Sequence, residues 1–155
     1  QRFQRAFDDI ARGPIPFVAA VSGACVGGGL ELAIACHVRV ADETSFFALP
    51  EGQRGIFVGA GGSVRIARAL GVERMSDLML TGRVLTAEEG ERHNLVQYLV
   101  AKGEAFERAK SLAVISSART RAWLSAIRPR STCSAGAREA ASPSRASPVH
   151  AAPGK

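Results

Sequence analysis

Two acids could carry chemistry: Glu31 and Glu51, twenty positions apart, each beside a glycine-rich turn. Glu31 follows Gly27-Gly28-Gly29-Leu30 and precedes Leu32-Ala33-Ile34-Ala35, so it is a lone charge in the first turn of an apolar helix. Glu51 closes Ala48-Leu49-Pro50 and leads into Gly52. Either acid alone is open to a bland reading, since a Glu in a first helical turn complements the helix dipole. As a pair beside glycine turns, they suit general acid–base work on a bound carbonyl compound, where one group takes a proton and the other gives one.

The elements that position them follow from the spacing. Phe17 to Val21 is a short apolar run between Pro16 and Ser22-Gly23, which suits a strand buried on both faces. Glycines 27–29 then lead into a helix over Leu30 to Ala35. A helix start presents unpaired N–H groups, and glycines let a ligand come close to them, so partial negative charge can be held there. A tight strand-to-helix turn with no ligand is the alternative. Neither glycine loop is a nucleotide motif. Counting from Gly27, the third glycine of GxGxxG would fall at Leu32; counting from Gly59, it would fall at Val64; no lysine completes a P-loop.

A helix is expected from Arg2 to Ile10, with Phe3, Ala6, Phe7 and Ile10 on one face, ending at Gly13-Pro14. Further strands are expected at His37 to Val40, Ser45 to Leu49 and Leu95 to Val100. Further helices are expected at Ser63 to Leu70, Val72 to Leu80, Thr86 to Arg92 and Glu104 to Ala113, with Thr86 as an N-cap. Strands alternating with helices define an α/β class. Two regions result: a core over 1–113 and a tail over 114–155. Thirty of the 42 tail residues are Ala, Ser, Arg, Pro or Gly, a composition expected to stay disordered.

The net charge of +6 raises the possibility of nucleic-acid binding. Residues 1–113 hold 13 basic and 13 acidic side chains, whereas the tail holds seven basic residues against Glu139 alone. The core has no basic bias, so no nucleic-acid partner is expected. No apolar run reaches the roughly 18 residues of a membrane helix, and the first ten residues lack a signal-peptide core, which leads to a cytoplasmic expectation. Cys25, Cys36 and Cys133 have no metal spacing and read as structural thiols.

From Ala19-Ala20-Val21-Ser22-Gly23 through Gly27-Gly28-Gly29-Leu30-Glu31-Leu32-Ala33, the sequence resembles the signature of the enoyl-CoA hydratase/isomerase (crotonase) family. The resemblance continues through Phe47-Ala48-Leu49-Pro50-Glu51, Gly59-Ala60-Gly61-Gly62-Ser63-Val64-Arg65, Leu80-Thr81-Gly82-Arg83, Ala87-Glu88-Glu89 and Leu95-Val96, covering about residues 10–113. It implies repeated ββα turns and a helical tail that builds homotrimers or hexamers. It also implies an acyl-CoA thioester substrate, no metal and no bound cofactor.

Carried onto this chain, Glu31 and Glu51 would hold the water that adds across C2=C3 of a 2-enoyl thioester. Gly28, with Gly27 beside it, would give an N–H to the thioester oxygen. Pro50 and Gly59 would border the substrate and water. Family members with both acids are typically hydratases, whereas many isomerases keep only the acid at the Glu51 position. His37, where relatives often carry Asp, is expected at a strand end and outside the chemistry.

The family's second oxyanion donor lies upstream of Gln1, and past about Ser111 to Val114 the family's trimer-forming helices give way to the tail. A partial fold is therefore expected, with a reading-frame shift as the origin of the tail. The chain alone is expected to show little or no hydratase activity and no trimer. An inactive crotonase fragment and an isomerase are the alternatives.

Overall fold

The computed structural model describes residues 2–115. Helix α1 (Arg2–Arg12) leads into strands β1 (Val18–Val21) and β2 (Ala24–Val26) and helix α2 (Gly28–Ala35). Strands β3 (Val38–Asp42) and β4 (Phe46–Ala48) follow, then a 3-10 turn (Gly52–Arg54) and helices α3 (Gly62–Leu70) and α4 (Val72–Thr81). Strand β5 (Val84–Thr86), helix α5 (Ala87–Arg92), strand β6 (Tyr98–Val100) and helix α6 (105–115) complete the described chain. The tail from 116 onward, expected to be disordered, lies outside the described residues.

The architecture is α/β with a ββα repeat. In β1-β2-α2 and again in β3-β4-α3, the first strand joins one sheet and the second joins another. Sheet order β1-β3-β6 is all parallel, with Val18 beside Val38 and Val40 beside Tyr98. In β2-β4-β5 the first pair is parallel, with Ala24 beside Phe46, and the second is antiparallel, with Phe47 beside Leu85. Each turn of chain thus stacks on the previous one, and Glu31 and Glu51 follow β2 and β4, neighbours in one sheet.

The core between these layers gathers Leu30, Phe47, Leu49, Val58, Ile66, Leu78, Leu85 and Leu95, all essentially inaccessible. A smaller cluster joins Val40 to Ala105 and Ala109 of α6. Thr86 caps α5 as expected. Its hydroxyl accepts from the Glu89 N–H at 3.3 Å while the Glu89 carboxylate accepts from the Thr86 N–H at 3.0 Å.

Several elements differ from the expected bounds. β2 and β5 were not expected, because three residues are too few to show a period of two. α2 starts at Gly28, taking two glycines into its first turn, where N–H groups need no intrahelical partner. The strand expected over Leu95 to Val100 is confined to Tyr98–Val100, since Leu95 and Val96 bond back to the Gly90 carbonyl at the end of α5.

Asp42 ties three segments together. It is buried, and its carboxylate accepts from the Thr44 hydroxyl and N–H, from the Ser22 hydroxyl at 2.7 Å and from the Gly103 N–H at 3.1 Å. The Thr44 hydroxyl foremost, then Ser22, Gly103 and the Thr44 amide, outweigh burial and hold its carboxyl at about 2, below the ordinary 3.8. A depressed carboxyl stabilises the fold above the unfolded-state pKa and loses that contribution as pH falls through the folded value. Asp42→Asn should therefore lower stability by about 1–2 kcal/mol at neutral pH. It should also flatten the loss of stability that the parent shows between about pH 4 and pH 2. Urea midpoints measured across that range check this; an unchanged acid limb in the variant would sink it.

Candidate active site

Glu31 is buried although ionisable, at 5% exposure. It does not complement its own helix. Its Oε1 accepts from the Ala60 N–H at 2.8 Å and from the Gly62 N–H at 2.9 Å. Gly62 is the first residue of α3, so Glu31 caps a neighbouring helix, and the dipole there favours its charge. Both bonds go to one oxygen, which leaves the lone pairs of Oε2 uncommitted. A side chain at Gly62 would overlap the Glu31 carboxyl, with a Cβ 2.7 Å from Oε1.

Glu51 is 8% exposed and lies against Gly27, where any Cβ would run into its Oε1. Its Oε2 is buried and accepts no hydrogen bond from the described residues. A buried acceptor costs on the order of 1–3 kcal/mol when left unpaired. Gly27 itself is constrained on every side. Its φ of 56° and ψ of −122° belong to glycine, its N–H donates to the Ala48 carbonyl at 3.0 Å, and its carbonyl accepts from the Glu31 N–H at 3.0 Å. One residue therefore links β2–β4 pairing, the start of α2 and the seat of Glu51.

A cavity of about 670 Å³ lies between α1, α2 and the loop before α3, lined by Phe3, Phe7, Gly28, Gly29, Glu31 and Gly59 among others. Gly28 and Gly29 carry the first N–H groups of α2, and nothing lies within 4 Å of where their side chains would be. The backbone there is open to a ligand, and helix starts favour negative charge. Of the residues expected from sequence, Gly28, Glu31 and Gly59 line this cavity. Glu51, Gly27 and Pro50 are not among its lining residues; the Glu51 carboxyl lies against Gly27, the residue before Gly28.

Sequence reasoning missed the roles of four residues. In the sequence Ala60 and Gly62 belong to a failed nucleotide motif and to the family resemblance, with nothing that ties them to Glu31, although a double glycine before a helix signals a close approach by some other group. Phe3 and Phe7 were read only as the apolar face of a helix, yet they form the cavity's outer wall.

The remaining candidates are structural. Cys25 is buried, and burial, opposed in part by the Arg39 charge, pushes its thiol up to about 12. Cys36 is partly buried and raised for the same reasons. Cys133 lies outside the described residues. His37 is exposed, and its Nδ1 accepts from the Phe17 N–H at 3.1 Å, at the entry to β3. Among the described residues no group of three or more His, Cys, Asp or Glu could hold a metal ion, and no helix is long and apolar enough to cross a membrane.

The sequence profile of the enoyl-CoA hydratase/isomerase family matches residues 1–141. The human enoyl-CoA hydratase domain-containing protein 2, mitochondrial, is 44% identical over 117 residues, covering 73% of this chain and 40% of that protein. A solved structure from Rhodopseudomonas palustris CGA009, assigned as an enoyl-CoA hydratase, is 49% identical with a TM-score of 0.75, covering 81% of this chain and 50% of that one. The enoyl-CoA hydratase of Bacillus anthracis is 34% identical with a TM-score of 0.70, covering 74% and 45%. The chain thus spans about two fifths of the length of the curated relatives it matches.

The cytoplasmic expectation is overturned: the human relative and its bovine and mouse counterparts are all named as mitochondrial. That expectation rested on the lack of an apolar signal-peptide core, and mitochondrial leaders are amphipathic and Arg-rich instead. With the fold shared across half of each solved chain and the profile matched over most of its length, this chain belongs to the enoyl-CoA hydratase/isomerase family, that of the crotonases.

Proposed function

We propose that this site adds water across the C2=C3 bond of a 2-enoyl-CoA thioester, with Glu31 and Glu51 as the acid–base pair. The observation that carries the reading is the state of the two carboxyls: Glu31 anchored by two N–H donors through one oxygen at the cavity wall, and Glu51 buried with one oxygen that has no partner among the described residues. The acyl chain would lie against Phe3 and Phe7, and its thioester oxygen would meet the Gly28 N–H. As water attacks C3, electrons move onto that oxygen, and a preorganised N–H donor is worth about 3–4 kcal/mol there. One carboxylate accepts the proton from water, and the other group, as a carboxylic acid, protonates C2.

Adding water to the C2=C3 bond is redox-neutral and moves only protons between the acids, water and C2, so this chemistry calls for no redox cofactor or metal. The names of the curated relatives favour a mitochondrial setting. Ile56, Phe57, Val72 and Leu80 are exposed apolar side chains, a surface that favours association with another apolar face.

The test is hydration of crotonyl-CoA, followed by loss of the conjugated thioester absorbance. Hydration above the uncatalysed rate is the expected result. Binding without any hydration, in a folded chain, would favour the inactive-fragment reading; double-bond migration without hydration would favour the isomerase.

A further inference from the structure

Arg65 stands outside the cavity, yet it touches what holds Glu31. Its Nη1 donates to the Ala60 carbonyl at 3.0 Å, and its Nη2 donates to the Asp8 carboxylate of α1. Its side chain is only 16% exposed. The chain passes so close beneath the guanidinium that a Cβ at Gly61 would run into it, and Gly61 has a φ of 96° that favours glycine. Ala60 is therefore clamped at both ends, its N–H on Glu31 and its carbonyl on Arg65. An exposed Arg–Asp pair alone contributes little. The third partner gives this pair a task, and a planar guanidinium holds a carbonyl and a carboxylate on separate nitrogens in one fixed geometry. Asp8 also follows Phe7 on the helix that walls the cavity, so the guanidinium joins that wall to the turn carrying the Glu31 donors.

We propose that Arg65 is a positioning residue for Glu31: it fixes the 59–62 turn so that the Ala60 and Gly62 N–H groups converge on one carboxyl oxygen, and it couples that geometry to the seating of α1. The proposal deepens the reading of Glu31 as an acid–base group and rests on it.

The experiment compares Arg65→Met, Arg65→Lys and Asp8→Asn in the 155-residue chain, using amide proton signals and crotonyl-CoA hydration. Glu31→Gln, which removes the charged acceptor, sets the reference shift of the Ala60 and Gly62 amides. Arg65→Met should reproduce most of that shift, while the Glu89 amide in the α5 capping box stays in place and reports an intact fold. Arg65→Lys should restore the signals only in part. Asp8→Asn, which leaves Arg65 and its carbonyl bond intact, should move them less than Arg65→Met. In a hydrating chain, Arg65→Met should lower kcat roughly tenfold to a hundredfold with KM little changed, as expected for misplacement rather than lost binding. Parent-like Ala60 and Gly62 signals in Arg65→Met would overturn the proposal, as would a parent-like kcat. If the parent hydrates nothing, the functional reading fails by itself and the amide comparison still decides whether Arg65 sets Glu31.

Discussion

Replacing either acid by its amide should cost at least about a hundredfold in hydration turnover, the usual worth of a positioned acid or base. The two variants should nevertheless fail differently. In Glu31→Gln an amide can still accept from Ala60 and Gly62 through its carbonyl oxygen, so the fold should be nearly unchanged and the loss should fall on kcat. In Glu51→Gln an amide brings N–H donors to a buried position whose oxygen has no hydrogen-bond partner among the described residues. A buried donor left unpaired costs on the order of 1–3 kcal/mol, so this variant should lose stability as well as turnover. Crotonyl-CoA hydration at saturating substrate, beside urea unfolding of each variant, tests both statements. Parent-like turnover in Glu51→Gln would remove it from the mechanism; double-bond migration surviving without hydration in Glu31→Gln would point to isomerase chemistry on the same scaffold.

What the sequence made legible was the chemistry-bearing turn and most of the helices. Gly27-Gly28-Gly29 before an apolar run, and Thr86 three positions before Glu89, are local signals that do not need the rest of the chain. Contacts made at long range were not legible. Glu31 reads as an ordinary first-turn acid until α3 is placed twenty-nine to thirty-one residues away and turns its N–H groups toward it. Arg39 is similar. In Val38-Arg39-Val40 alternation puts the arginine on a wet face, yet β3 is the central strand of its sheet and both faces are covered. The guanidinium is buried and donates to the Leu95 carbonyl at 2.6 Å and the Cys36 carbonyl at 2.7 Å, with burial lowering its pKa. That Glu31 lines the cavity while Glu51 lies against Gly27 follows from how one turn stacks on the next, which no spacing along the chain encodes.

Gly27→Ala should be the most damaging single-methyl change near the site. The added carbon meets Glu51 Oε1, and the carboxyl cannot retreat freely because its other oxygen is already buried. At φ 56° and ψ −122° an alanine is also strained, at a cost of about 1–3 kcal/mol. Any relaxation of that strain pulls on the Ala48 and Glu31 backbone bonds that start α2. A displacement of the acid by about 1 Å is enough to lose roughly a hundredfold in rate. The neighbouring Gly29 supplies the control. It has no positive φ, it lies in the first turn of α2, and its side-chain direction meets nothing within 4 Å. Gly29→Ala should therefore keep or slightly raise stability, by about 0.5–1 kcal/mol from helix propensity, and act on KM by narrowing the cavity wall. Steady-state hydration kinetics and urea unfolding on the two variants separate these effects. Equal behaviour of Gly27→Ala and Gly29→Ala would show that the seat of Glu51 is not what Gly27 provides.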